Sequence, residues 1–398
     1  MAIPPRPHPL ARSAFAQRLD GLLAKSWTLP GNPRPPLSPD YLWQVGAKGF
    51  DAADERSNRS DEDVADFRER LARLCKALNE QARLNSLGHT MAYGQLRAAI
   101  RTRHGLGQLW RDRPALANTP IAPPIIVAGQ MRAGTTRVHR LLAADPAHAG
   151  TRFCDSFNPV PPVPDHRPLK SALALAMARR INPWLDALHP FGSAREDEEI
   201  GWLSLALSPA AYEAQWHIPA YIAWSEARDP APVYREFARI LRTDAALAGN
   251  ADRPRVLKCP QYAEDLEALV EQFPDARIVV PERSREDILE SAVSLVASQT
   301  AAQSDHADLA VIRREWERKL DLRHQRTKQA LGRFAGPVAH VPFDSLNRDW
   351  EAAMRKLYAD LGLAWTLDAQ AATRGEQARA QNQDHDAHRT QIEGFDAA

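Results

Sequence analysis

Residues 123–136, PPIIVAGQMRAGTT, constrain this chain more tightly than any other segment. Pro123 and Pro124 open a short, fully apolar run that ends at Ala128, the pattern of a strand buried in a parallel sheet. The run passes directly into Gly129-Gln130-Met131-Arg132-Ala133-Gly134-Thr135-Thr136, after which Val138, Leu141 and Leu142 follow at helical spacing. Strand, glycine-bounded loop and helix form the layout in which backbone N–H groups and a helix N-terminus converge on an anion. The spacing of Gly129 and Gly134 matches the nucleoside-triphosphate loop, but Thr135 stands where that loop requires lysine. Without that lysine, and with no acidic residue recognised at the end of a later strand to hold magnesium, ATP hydrolysis is disfavoured. Arg132 offers a guanidinium fork suited to a tetrahedral anion instead.

The rest of the chain places this unit in an α/β fold. Buried strands are expected at 255–258, 276–281 and 338–342, each followed by a helical segment, at 261–272, 285–301 and 349–361. Apolar strands alternating with helices predict a P-loop-type parallel sheet with helices on both faces. Residues 165–250 read as a helical insertion rich in tryptophan and tyrosine, a natural place for a substrate pocket. Upstream, two proline clusters at 4–9 and 30–39 flank a short amphipathic stretch, predicting a surface arm with little chemistry. From Ser60 a helical extension begins, with Ser60 and Asp63 as a capping box and Val64, Phe67, Leu71, Leu74 and Leu78 as its apolar stripe. It continues to about Trp110, with Gly105 and Gly107 as breaks, and reads as a layer against a core rather than a coiled coil. The expected division is 1–118, arm and helical region, and 119–398, α/β domain.

Composition closes off other classes. At 398 residues with 44% hydrophobic and 25% charged positions, the chain is neither disordered nor fibrous. Lysine plus arginine number 51 against 50 aspartate plus glutamate, so no nucleic-acid footprint follows from charge and any anion site must be local. Cys75, Cys154 and Cys259 lie far apart and fit no CxxC spacing, which argues against a disulfide framework or a zinc site. The N-terminus lacks an apolar h-region and no window approaches a transmembrane length, so a cytoplasmic protein without a membrane span is expected. Asp384, His385, Asp386 and His388 imitate metal-ligand spacing in a polar context, and no metal is expected.

Taken together, these blocks resemble the bacterial sulfotransferases that use 3′-phosphoadenosine 5′-phosphosulfate (PAPS). PIIVAGQMRAGTTRVHRLLAADP resembles their 5′-phosphosulfate loop, usually PRSGTT followed by a leucine-rich helix ending in ADP. The stretch from Arg255 to Ser298 resembles their 3′-phosphate region, where an arginine ending a strand precedes a serine on the next helix; here these are Arg283 and Ser291. HPFGSAREDEE at 189–199 and, more weakly, HDAHRTQIEGF at 385–395 are also similar. The resemblance implies sulfuryl transfer from PAPS to a hydroxyl of a small, apolar or phenolic acceptor. It assigns Arg132, Gly134, Thr135 and Thr136 to the 5′-phosphosulfate and Arg283 and Ser291 to the 3′-phosphate, with Arg389 a further candidate.

Four candidates compete for the general base: Asp155, where the resemblance places a glutamate, His189, and then Glu198 and Glu199, for which a solvated first helical turn is the plainer reading. His139 reads as packed. Trp202, Trp216, Tyr221 and Trp224 either line an acceptor pocket or pack the core. The chain departs from the pattern at Ala133 in the loop, at Arg283-Ser284-Arg285, at Cys259-Pro260-Gln261-Tyr262 after Lys258, and at Phe343. Those departures keep open a catalytically silent nucleotide-binding protein and, further off, a P-loop phosphotransferase. A homodimer is also left open.

Overall fold

The structure is a computed structural model describing residues 4–381. The helices that bear on the site are numbered in chain order. Helix α1 (Ala14–Ser26) belongs to the N-terminal arm, and α2 (Asp61–Glu80) and α3 (Ser86–Asp112) form the layer before the sheet. Strand β1 (Ile125–Val127) leads into α4 (Thr135–Ala143). Helix α5 (Phe153–Phe157) precedes the insertion, and α6 (Arg167–Ile181) and α7 (Ala231–Ala248) lie within it, before β2 (Val256–Lys258). Then come α8 (Tyr262–Gln272), β3 (Arg277–Glu282), α9 (Arg285–Gln303), α10 (Leu309–Arg333), β4 (Val338–Pro342), α11 (Trp350–Asp360) and α12 (Leu367–Gln381).

Among the described residues the four strands form one parallel sheet in the order β2–β1–β3–β4. Ile126 on the inner strand registers with Leu257 of β2 and Ile278 of β3. Side chains alternate across the pleat. Ile125 and Val127 pack with Val138, Leu142, Met354 and Leu357 on one face, while Ile126 faces the opposite core with Leu96, Ile100, Trp110, Phe237 and Leu266. Covering both faces is why β1 is apolar without interruption. Edge strand β4 alternates instead, with Ala339 and Val341 buried and His340 exposed.

The N-terminal layer corrects two local expectations. The Ser60 hydroxyl accepts from the Asp63 N–H at 3.1 Å, but the Asp63 carboxylate leaves the capping box unfinished and pairs with Arg235 and Arg239 at 2.7 and 2.8 Å. Gly105 and Gly107 do not break α3. A Cβ at position 107 would stand 1.7 Å from the Asp54 carbonyl oxygen, so this glycine lets the helix lie directly on a neighbouring backbone. The expected helix at 349–361 is preceded by a separate short helix, Phe343–Arg348, and Asp349 caps α11 by accepting from the Ala352 N–H. In the arm, buried Arg6 donates to the Ser294 carbonyl and hydroxyl, each at 3.1 Å, and so ties the chain start to α9. Cys75, Cys154 and Cys259 are buried and unpaired with one another. Among the described residues no helix is long and apolar enough to cross a membrane.

Candidate active site

The loop between β1 and α4 is shaped by close approaches. A Cβ on Gly129 would come within 2.7 Å of the Thr135 Cγ2, and one on Gly134, whose φ is +88°, within 2.6 Å of the Phe343 ring. Arg132 adopts φ +69°, a left-handed conformation that costs a residue with a Cβ free energy and is retained mainly where surrounding structure enforces it. That turn sends its guanidinium toward α9, where Nε donates to Ser291 Oγ at 2.6 Å and a terminal nitrogen donates to the Leu188 carbonyl. Arg283, just past β3, donates to the Arg132 carbonyl at 3.1 Å and lies over the Phe343 ring at 4.9 Å. The residues assigned to the two phosphate sites are thus brought together across 159 positions of sequence.

At this end of the site two guanidinium groups lie close together, with Asp287 3.4 Å from Arg283. Burial, and next the neighbouring Arg283, push the Arg132 guanidinium down to about 10, with Glu198 opposing. Its hydrogen-bond partners there, a hydroxyl and a carbonyl, carry no formal charge. A partly buried cation beside a second cation is a setting that favours a bound anion.

Opposite the loop lies a cluster that sequence reasoning only half anticipated. His189 Nε2 sits 3.0 Å from Asp197 Oδ1, and Nδ1 is 3.9 Å from Glu198 Oε1. Lys258, the last residue of β2, places its ammonium against Glu198 and 3.2 Å from Thr136 Oγ1. Burial pushes the Asp197 carboxyl up, but the His189 ring, its hydrogen bond and the Lys258 ammonium outweigh it and hold the group well below the carboxylate range. Asp197 and Lys258 were not singled out from the sequence. The available signal was positional, since Lys258 ends a strand at the carboxyl edge where open α/β sheets bind ligands. His189, Asp197 and Glu198 also offer three donor atoms within 4.8 Å of one another, and Lys258 supplies the positive charge facing the two carboxylates.

A cavity of about 1370 Å³ joins the two halves. Arg132, Gly134, Thr135, Thr136, His189, Glu198, Arg283 and Ser291 all line it. Asp155 does not; Arg152 and Arg167 hold its carboxylate at 2.6 and 3.0 Å. Glu199 is fully buried behind the wall, where it accepts from the Lys258 N–H at 2.8 Å and the Tyr262 hydroxyl at 3.1 Å. His139 is fully buried too, and burial, helped by Lys258, pushes its imidazole down to about 3.

The insertion aromatics named from the sequence turn away from the cavity. Trp202 and Trp216 donate to the Asp155 carbonyl and to Gln303 Oε1, Tyr221 donates to the Leu207 carbonyl, and Trp224 stacks on Tyr221 at 5.9 Å. Phe153, Phe157, Phe191 and Leu185 form the apolar wall in their place, and Gln95 of α3 carries the N-terminal layer to the rim. Glu376 of α12 closes another side through its ion pair with Arg195.

The sequence departures have local explanations. The Ala133 methyl packs with Ile288, Ala292 and Trp316 in a small core under the loop. Ser284 caps α9 by accepting from the Asp287 N–H. Tyr262, where the resemblance places a histidine, is buried on Glu199 and does not line the cavity. One expectation about strand ends fails: Glu282 does end β3, but it pairs with exposed His340 at 2.8 Å and is not part of the cavity wall. Arg389 and the 384–388 cluster lie outside the described residues.

The signature of the sulfotransferase family matches residues 123–367. The fold is similar to sulfotransferase STF1 from Mycobacterium tuberculosis H37Rv, at 26% identity and a TM-score of 0.77 over 92% of this chain and 100% of that one. It is also similar to sulfotransferase STF9 from Mycobacterium avium, at 20% identity and a TM-score of 0.76 over 86% of this chain and 88% of that one. No curated protein matches the chain.

Proposed function

The chain belongs to the sulfotransferase family, and we propose that it transfers the sulfuryl group of PAPS to the hydroxyl of a small, apolar or phenolic acceptor in the cytoplasm. The observation that carries this reading is the convergence of Arg132, Ser291 and Arg283 beside the α4 N-terminus. Two partly buried guanidinium groups, one of them bonded to a hydroxyl and a carbonyl, fit an anionic donor. Three buried, unpaired thiols agree with a reducing compartment.

Gly134, Thr135 and Thr136 would hold the 5′-phosphosulfate with backbone N–H groups and hydroxyls at the positive end of α4. Arg283 and Ser291 would hold the 3′-phosphate, a task suited to a charge-assisted fork. His189 is the base. Donation of Nε2–H to Asp197 fixes the neutral tautomer that leaves Nδ1 to accept a proton from the cavity side. As the acceptor oxygen bonds to sulfur, the bond from sulfur to the bridging oxygen breaks and the acceptor proton passes to Nδ1. Negative charge develops on the bridging oxygen. Arg132 in the loop would offset it, and Lys258, 3.2 Å from Thr136 Oγ1, would add its field. The products are a sulfate ester and 3′-phosphoadenosine 5′-phosphate.

Calorimetry with 3′-phosphoadenosine 5′-phosphate tests the donor site. Micromolar binding is expected, weakened about 10- to 150-fold in Arg283→Ala, the range for losing hydrogen bonds to a charged group. No heat from the unsubstituted protein would overturn the assignment. Binding without transfer of labelled sulfate from PAPS to any of a panel of phenols and alcohols would make the chain a nucleotide-binding protein instead.

A further inference from the structure

Helix α6 buries Arg167, Ser171 and Leu175 against the protein and turns an apolar face outward. Leu169, Leu173 and Met177, four residues apart, are 65%, 66% and 47% exposed. The four-residue step sets them on one side of the helix. Val163, fully exposed in the loop before α6, and Phe157, 45% exposed at the end of α5, extend the patch. Phe157 also belongs to the cavity wall, and so does Arg179 in the last turn of α6, so the patch runs to the edge of the cavity.

The border of this face is basic. Lys170 and Arg180 are exposed on α6. Helix α1 is held beside it by the Ser13 hydroxyl, which donates to the Ile181 carbonyl at 2.8 Å, and it adds exposed Arg18 and Lys25. The neighbouring acids are already engaged. Asp165 pairs with Arg167, Asp186 pairs with Arg179, and Asp20 accepts the Leu87 N–H.

We propose that this face docks on an anionic lipid bilayer and presents the cavity to amphiphilic acceptors residing there. The choice of acceptor rests on the sulfotransferase reading; the docking does not. An apolar helix face with a cationic border matches the acyl boundary and headgroup layer of such a surface, respectively. A second copy of the chain is a poorer occupant. Pairing α6 with itself about a twofold axis brings Lys170 and Arg180 of one copy near the same cations of the other.

The test is cosedimentation of the full chain with phosphatidylcholine vesicles, with and without phosphatidylglycerol. Binding is expected only to the anionic vesicles, declining as salt is raised. The double substitution Leu173→Glu with Met177→Glu, at exposed positions, should weaken it by at least about tenfold, with thermal midpoint and 3′-phosphoadenosine 5′-phosphate affinity unchanged. Lys170→Gln with Arg180→Gln should flatten the salt dependence. No binding to anionic vesicles, or binding that survives the glutamate pair, overturns the proposal. So does a dimer, detected by sedimentation velocity, that the glutamate pair dissociates. Nucleotide affinity measured on the same preparation separates failure of docking from failure of the sulfotransferase reading.

Discussion

Replacing Glu199 with glutamine examines how the carboxyl end of β2 is supported. The Glu199 carboxyl is fully buried and holds the backbone N–H of Lys258, whose ammonium reaches the loop. Burial pushes it from 4.5 to about 7, against the opposing hydrogen bonds of the Lys258 N–H and the Thr151 and Tyr262 hydroxyls. In the unfolded chain the group titrates near 4.5. Between that value and about 7 the native state therefore retains a proton that the unfolded state has lost, and stability falls as pH rises through this window. Above it the full penalty is about 3 kcal/mol. Glutamine cannot ionise, yet keeps an acceptor oxygen for both donors. At about 2.1 cal/mol/K of unfolding entropy per residue, the variant should melt about 4 °C higher than the parent at pH 8 and at the same temperature near pH 4. Scanning calorimetry at the two pH values measures this. A difference independent of pH, or a less stable variant at pH 8, would refute the account of Glu199.

Three further substitutions probe the site. Arg132→Ala should slow sulfate transfer by about a hundredfold or more in single-turnover assays, the usual effect of losing one preorganised donor; unchanged turnover removes Arg132 from the reaction. Asp197→Asn keeps an acceptor for His189 but removes the charge that stabilises the imidazolium, so kcat should fall by up to about a hundredfold while nucleotide affinity stays constant. Equal losses in both would mean that Asp197 acts on the fold alone. Gly134→Ala forces a Cβ into φ +88° and against the Phe343 ring, so a cost of about 1–2 kcal/mol should appear as a lower thermal midpoint and weaker nucleotide binding; wild-type values for both would contradict the close approach.

Much of the anion-loop side was legible in the sequence because its logic is local. A strand buried on both faces must be apolar without interruption, and the loop and helix after it are contiguous with it. The helix of Ser291 begins two residues beyond Arg283, so their proximity follows from a strand-to-helix turn. The wall that completes the site was less legible. The run 195–199 looks like a solvated helix start, yet tertiary contacts divide it: Arg195 reaches α12, Asp197 holds His189, and Glu199 is sealed under β2. Asp155, one of four base candidates, is held by Arg152 and Arg167 and does not line the cavity. For the insertion aromatics the sequence left pocket and core both open; Trp202, Trp216 and Tyr221 are used in the core while Phe153, Phe157 and Phe191 face the cavity.

The amino-acid sequence by itself determined a parallel α/β sheet, an anion loop without the triphosphate lysine, and the sulfotransferase-like pairing of that loop with Arg283 and Ser291. Hydrophobic periodicity and glycine stereochemistry act over a few residues and suffice for the sheet and the loop, while the pairing with Arg283 and Ser291 came from the family resemblance. Only the tertiary structure decided that Arg132 bonds Ser291, that His189 rather than Asp155 faces the cavity, and that α6 leaves an apolar face outside. Such contacts are made by packing between elements: Arg132 and Ser291 stand 159 positions apart, and Arg195 and Glu376 stand 181 apart. No local pattern encodes those contacts.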